Sequence, residues 1–152
     1  MSLDLERLVG EVRSIAALPE ERDARLRRIC DLLRESVAHY AWVGFYLVEP
    51  GTRMLALGPF AGKPTEHVCI PFGRGVCGQA AERGTTFVAQ DVATEQNYLS
   101  CSASVRSEIV VPILKDGLVA GEIDIDSHEI SPFTDADRDL LERVAEIVSR
   151  II

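Results

Sequence analysis

The chain has 152 residues, a length that favours one domain over two. Apolar residues make up 47% and charged residues 26%, ordinary globular usage that argues against bulk disorder. The formal net charge of −8 argues against a nucleic-acid surface and against docking on anionic lipid, and suits a small cationic or zwitterionic ligand.

Leu5, Leu8, Val9, Val12 and Ile15 recur at helical spacing and predict a helix over about residues 3–16. A second helix is expected from Pro19, in its first turn, to about Ala38, with Leu26, Ile29, Cys30, Leu33 and Val37 as its apolar stripe. Residues 41–48 are aromatic and β-branched, a strand signal. After a turn at 49–52, strands are expected at 54–57 and through Val68 and Ile70. Gly73, Gly75 and Gly78 frame a turn into a short helix over 76–83, and 86–89 is another strand. Residues 93–106 lack a period and read as a long loop, a length often associated with function. Strands at 107–114 and 118–126 are joined around Asp116-Gly117, a hairpin signal. A last helix follows, capped by Thr134, with Leu140, Leu141, Val144, Ile147, Val148 and Ile151 as its stripe. These elements describe a single α+β domain, residues 1–152, with a mainly antiparallel sheet of about six strands. The N-terminal helices and the C-terminal helix are expected on one sheet face. Their stripes exceed what one face covers, so a homodimer through them is expected.

No apolar run approaches the roughly 20 residues needed to span a bilayer. The first residues lack a basic segment followed by an apolar one, so no secretory leader is expected and a cytoplasmic location follows. Cys30, Cys69, Cys77 and Cys101 should then be reduced at rest.

Glu122, Asp124 and Asp126 alternate with Ile123 and Ile125, so the three acids share one strand face. Hairpin register decides whether Glu108 joins them. A two-residue loop pairs Lys115 with Leu118 and sends Glu108 to the opposite face. A three-residue loop, Lys115-Asp116-Gly117, sets Glu108 directly opposite Asp124, Ile109 opposite Ile123 and Ile113 opposite Val119. The three-residue form is expected, because it gathers the isoleucines on one face. The acids are either a solvated outer face or, since opposed like charges destabilise a sheet, a site for a positive ligand or for acids held protonated. Trp42 and Tyr46 flank Gly44 on one face of the first strand, as packing or as an aromatic wall for a methyl or sulfonium-like group. Cys30 belongs to the core. Cys69 lies in a short strand where burial is the default. Cys77 opens a short helix, a position that favours a thiolate. Cys101 sits in the polar loop, where a thiol is accessible. A zinc site from His67, Cys69, Cys77 and Cys101 lacks the usual finger spacings, so no metal is expected.

Trp42-Val43-Gly44-Phe45-Tyr46, Gly58-Pro59-Phe60 with Gly62-Lys63-Pro64, Ile70-Pro71-Phe72-Gly73-Arg74-Gly75-Val76-Cys77-Gly78, Ser107-Glu108-Ile109-Val110-Val111-Pro112 and Asp124-Ile125-Asp126-Ser127 occur in that order. In order and content they resemble the free methionine-(R)-sulfoxide reductases, single-domain enzymes of the GAF fold. The resemblance covers about residues 25–150. It implies thiol-dependent reduction of the free R-sulfoxide without a cofactor, through a cysteine sulfenic acid and an intramolecular disulfide. It implies Cys101 as nucleophile, Cys77 as resolving thiol, and thioredoxin or a similar reductant to reopen the disulfide. It also implies Glu108, Asp124 and Asp126 as the substrate's acidic pocket, and Trp42 and Tyr46 as the wall around its S-methyl. His67 stands where the family usually carries another resolving cysteine, and Cys69, two residues on, is a second candidate for that role. Ser102 replaces an Asp common after the loop cysteine, and Val105 and Arg106 replace small polar residues. The competing reading is a non-catalytic GAF domain that senses a small ligand. A bilin-binding domain is disfavoured by the low aromatic content and short loops.

Overall fold

The computed structural model of the protein describes residues 4–100 and 102–152. Two helices come first, α1 (Leu5–Ala16) and α2 (Arg22–Ser36). The strands β1 (Trp42–Val48), β2 (Met54–Ala61) and β3 (Cys69–Pro71) follow, then α3 (Gly75–Arg83) and β4 (Phe87–Ala89). After a single 3₁₀ turn (Val92–Thr94), the hairpin β5 (Ser107–Lys115) and β6 (Leu118–Ser127) leads to α4 (Asp135–Val148). The six strands form one antiparallel sheet in the order β3-β2-β1-β6-β5-β4, in agreement with the α+β expectation.

The sheet separates two apolar layers. On one face Val43, Phe45, Ile109, Val111, Ile113, Ile123 and Ile125 pack against Leu26, Ile29 and Leu33 of α2 and Leu140, Leu141, Val144 and Val148 of α4, and Leu8, Val9 and Val12 of α1 extend the same core across α2 and α4. All three long helices thus lie on one face, as their stripes predict. Leu5, Ile15 and Ile151 of these stripes are only partly buried, and the outer helix faces carry ion pairs such as Arg7–Glu11 and Arg143–Glu6. On the other face α3, which carries Cys77, and neighbouring loops cover Trp42, Tyr46, Leu55, Ile70 and Val110.

Three local expectations are corrected. Pro19 lies in the bend before α2, not in its first turn: Glu21 is the N-cap, in extended conformation. β2 does not stop at Leu57 but runs to Ala61, because a bulge opposite β1 absorbs Gly58-Pro59 and pairing resumes at Phe60 with Gly44. The hairpin has the two-residue loop, since Lys115 pairs with Leu118. Asp116 and Gly117 both take positive φ, 53° and 78°, the mirror-image turn whose twist matches the flanking strands. A bulge at Ala120 then shifts the register by one residue, so that Ile113 meets Gly121, Ile109 meets Ile125 and Glu108 meets Asp126. The expected pairs of Glu108 with Asp124, Ile109 with Ile123, and Ile113 with Val119 do not form. The bulge nonetheless restores the face that the two-residue loop alone would have reversed, and Glu108 stands with the other acids.

At the start of α4 the Thr134 backbone N–H donates to Asp137 Oδ2 at 2.8 Å, closing a capping box with the Thr134 side chain. Asp137 also accepts the Tyr40 hydroxyl at 2.6 Å. Among the described residues no helix is long and apolar enough to cross a membrane.

Candidate active site

Strand alternation puts Trp42, Gly44 and Tyr46 on the α3 side of β1, opposite Asp126, Asp124 and Glu122 of β6. Gly44 is required by the neighbouring indole: a Cβ there would lie 2.6 Å from Trp42 Cζ3 and 2.9 Å from Phe60 Cβ. Trp42 stacks on Phe60 with ring centroids 5.5 Å apart, and its Nε1–H donates to the Lys63 carbonyl at 2.9 Å. The Tyr46 hydroxyl donates to the His67 carbonyl at 2.9 Å. Both aromatics are therefore clamped.

The acids are not a solvated face. Glu122, Asp124 and Asp126 are 0, 1 and 2% exposed, and Glu108 is 5% exposed. Both Glu122 carboxyl oxygens, Asp124 Oδ1 and Asp126 Oδ1 are buried without a hydrogen-bond partner among the described residues. Burial pushes Glu122 and Asp126 well above the ordinary carboxylate range, and the charge of Asp124 pushes them further. Asp124 is also raised by burial, partly offset by hydrogen bonding to Glu108 and Cys77. The cluster consequently favours neutral, protonated carboxyls.

Cys77 joins this cluster from α3, its thiol donating to Glu108 Oε2 at 3.6 Å. The expectation that its helix position favours a thiolate is corrected. Burial, then the charges of Asp124, Glu122 and Glu108, hold it as a thiol, pKa well above the ordinary value. A helix end supplies about half a unit of positive charge, too little against desolvation beside three acids. Cys69 is likewise corrected: it is exposed, with its sulfur 3.9 Å from Glu49 Oε1, because β3 alternation turns Ile70, not Cys69, toward the site. Cys30 is fully buried in the helical core, where desolvation pushes its thiol up. Cys101, the expected nucleophile, lies outside the described residues.

Two cavities border these side chains. The smaller, of about 10 Å³, is lined by Tyr46, His67, Cys77, Leu99, Glu108 and Asp124 among others. The other, of about 80 Å³, opens beside Trp42 and Asp126 and is bordered by Arg34, Lys63, Ser102 and His128. Residues on either side of position 101 thus border both: Leu99 the first, Ser102 the second. His67 Nε2 donates to the Ser100 carbonyl at 2.8 Å. Asn97 is a site-positioning residue that the sequence reading missed. Its Oδ1 accepts from the Gly75 N–H and its Nδ2 donates to the Gly73 carbonyl, both at 2.8 Å, tying the long loop to the start of α3. The only signal was an amide, a donor and acceptor together, in a polar loop that had to meet a glycine turn.

A GAF domain family model matches residues 20–152. Free methionine-R-sulfoxide reductase of Escherichia coli is 38% identical over 129 residues, covering 85% of this chain and 76% of that protein. This chain belongs to the GAF-domain family of free methionine-(R)-sulfoxide reductases. Its fold agrees with solved members of that reductase family. The free methionine-R-sulfoxide reductase of Neisseria meningitidis, in complex with its substrate, superposes with a TM-score of 0.91 at 37% identity, over 97% of this chain and 87% of that one. The reduced form of fRMsr of Staphylococcus aureus gives 0.90 at 36% identity, over 99% and 96%.

Proposed function

We propose that this chain reduces the R-sulfoxide of free methionine to methionine, with Cys101 as nucleophile and Cys77 as resolving thiol. The observation that carries the reading is the cluster of buried carboxyls beside a buried thiol, under the Trp42 and Tyr46 wall. Trp42 and Tyr46 take the S-methyl end of the substrate. Within the trio Glu108, Asp124 and Asp126, a neutral carboxyl donates a proton to the sulfoxide oxygen, and an ionised one pairs with the substrate ammonium. The Cys101 thiolate attacks the sulfoxide sulfur, methionine departs, and the oxygen stays on Cys101 as sulfenic acid. The Cys77 thiol then attacks the sulfenic sulfur, forming the Cys77–Cys101 disulfide and releasing water. A dithiol reductant, thioredoxin or a similar protein, exchanges with that disulfide and restores both thiols in the cytoplasm. The small cavity cannot hold an amino acid, so Leu99 and His67 must give way for substrate to reach Cys77.

The test is NADPH consumption with thioredoxin, thioredoxin reductase and free methionine-(R)-sulfoxide. Sustained oxidation is expected with the R epimer and none with peptide-bound sulfoxide. Cys101→Ser should abolish even one turnover, whereas Cys77→Ser should release one equivalent of methionine and stall at the sulfenic acid. Full multi-turnover activity in Cys101→Ser would overturn the mechanism. A Cys69–Cys101 disulfide in mass spectrometry of the oxidised chain would reassign the resolving role. Substrate binding without turnover would leave the non-catalytic sensor as the reading.

A further inference from the structure

We propose that the small cavity is a binding site for one thiophilic divalent cation of the zinc type, held by Cys77, Glu108 and Asp124. One ligand atom from each of these three side chains lies within 4.8 Å of the other two, and all three residues are buried. With Zn–S of about 2.3 Å and Zn–O of about 2.1 Å, sulfur and oxygen on a tetrahedral ion stand about 3.6 Å apart. Cys77 Sγ and Glu108 Oε2 are 3.6 Å apart.

A second, independent observation points to a missing partner. Asp124 is 1% exposed, lines the cavity, and its Oδ1 has no hydrogen-bond partner among the described residues. Buried carboxyl oxygens without partners are costly and uncommon. The size also agrees. A void of about 10 Å³ admits one water-sized particle, not a methionine sulfoxide.

The donor chemistry selects the ion. One thiolate with two carboxylates suits zinc, cobalt or cadmium, whereas magnesium and calcium prefer all-oxygen shells of six or more donors. This ligand set is not the one weighed from sequence, because Cys69 faces away from the cavity. On binding, the cation displaces the Cys77 proton and any carboxyl protons to solvent.

The binding claim stands apart from the reductase reading; its functional consequence rests on that reading. A cation there ties up the resolving thiol and two acidic residues at once, so zinc inhibits turnover reversibly.

Cobalt(II) is the probe. Added to the full chain reduced with a phosphine, it should bind one to one, with a sulfur-to-cobalt charge-transfer band in the near ultraviolet and visible d–d bands. Zinc should bleach both. Cys77→Ser should lose the charge-transfer band, and Asp124→Asn should weaken cobalt at least tenfold, each variant being checked for folding by circular dichroism. Cys69→Ser should keep the full spectrum. Zinc should inhibit the reductase, with a chelator restoring activity. A charge-transfer band that survives in Cys77→Ser, vanishes in Cys69→Ser, or fails to form by about 100 μM cobalt overturns the site. These spectra need no turnover, so their failure is distinct from failure of the reductase assay.

Discussion

Glu122 carries the plainest stability cost in the molecule. Both of its oxygens are buried without a hydrogen-bond partner among the described residues, and burial holds its carboxyl above the ordinary range. The folded chain therefore keeps this proton to higher pH than the unfolded chain does. The stabilising contribution is complete below the unfolded carboxyl pKa and is lost as pH rises through the folded one. Glu122→Gln, neutral at every pH, should raise stability at pH 7–8 by about 0.5–2 kcal/mol, or about 2–6 °C in Tm. It should also flatten the fall in Tm between pH 5 and 8, which thermal melts across that range would read. A Tm lowered at pH 8 would mean that the ionised carboxylate has a partner. Glu108 and Asp124 belong with function. Glu108→Gln or Asp124→Asn should leave the chain folded and lower kcat for methionine sulfoxide by about 10²–10⁴, the usual reach of a positioned acid. Unchanged kinetics in a folded variant would remove that residue from the site.

Among the elements, the long loop after β4 is tied to the glycine turn before α3 by one side chain. Asn97 bridges Gly73 and Gly75, and its own carbonyl accepts from Gln79 Nε2 at 3.1 Å. Asn97→Ala removes both side-chain bonds and exposes two backbone groups at the start of α3. The expected outcome is faster amide exchange through 96–104 and at Gly75, a raised KM, and a global Tm lowered by no more than a few degrees. Exchange unchanged in that segment would show that His67 and its bond to the Ser100 carbonyl suffice to hold it. The hairpin makes the same point about local causes. Asp116-Gly117 sets a two-residue turn, and the bulge at Ala120 then decides which face Glu108 takes.

The whole molecule divides its labour across the sheet. The helical layer is apolar, and the α3 layer mixes apolar residues with buried acids and a thiol. Ile123 and Asp124 are adjacent in sequence and on opposite layers. Ile123→Ala should cost about 2–4 kcal/mol, the usual range for truncating a buried aliphatic chain. Because Ile123 points away from the cavity, activity per folded molecule should be kept. Denaturant melts with kinetics on the folded fraction would check both. Loss of kcat with stability intact would show the two layers to be coupled.

The sequence by itself determined the helices, the six strands, the helical face of the sheet and the alternation that gathers Trp42, Tyr46 and the β6 acids. These follow from period and chain-local chemistry, which tertiary contacts only reinforce. Its local motifs also carried the family resemblance. Tertiary structure alone decided the burial of the acids, the protonated state of Cys77 and the exposure of Cys69. Each depends on which distant element covers a side chain: α3 lies over the acidic face, whereas Cys69 on β3 is left exposed. The pairing of β5 with β6 was decided in the same way. A turn and a bulge each shift the register by one residue, and their combined effect is visible only once both strands are in place.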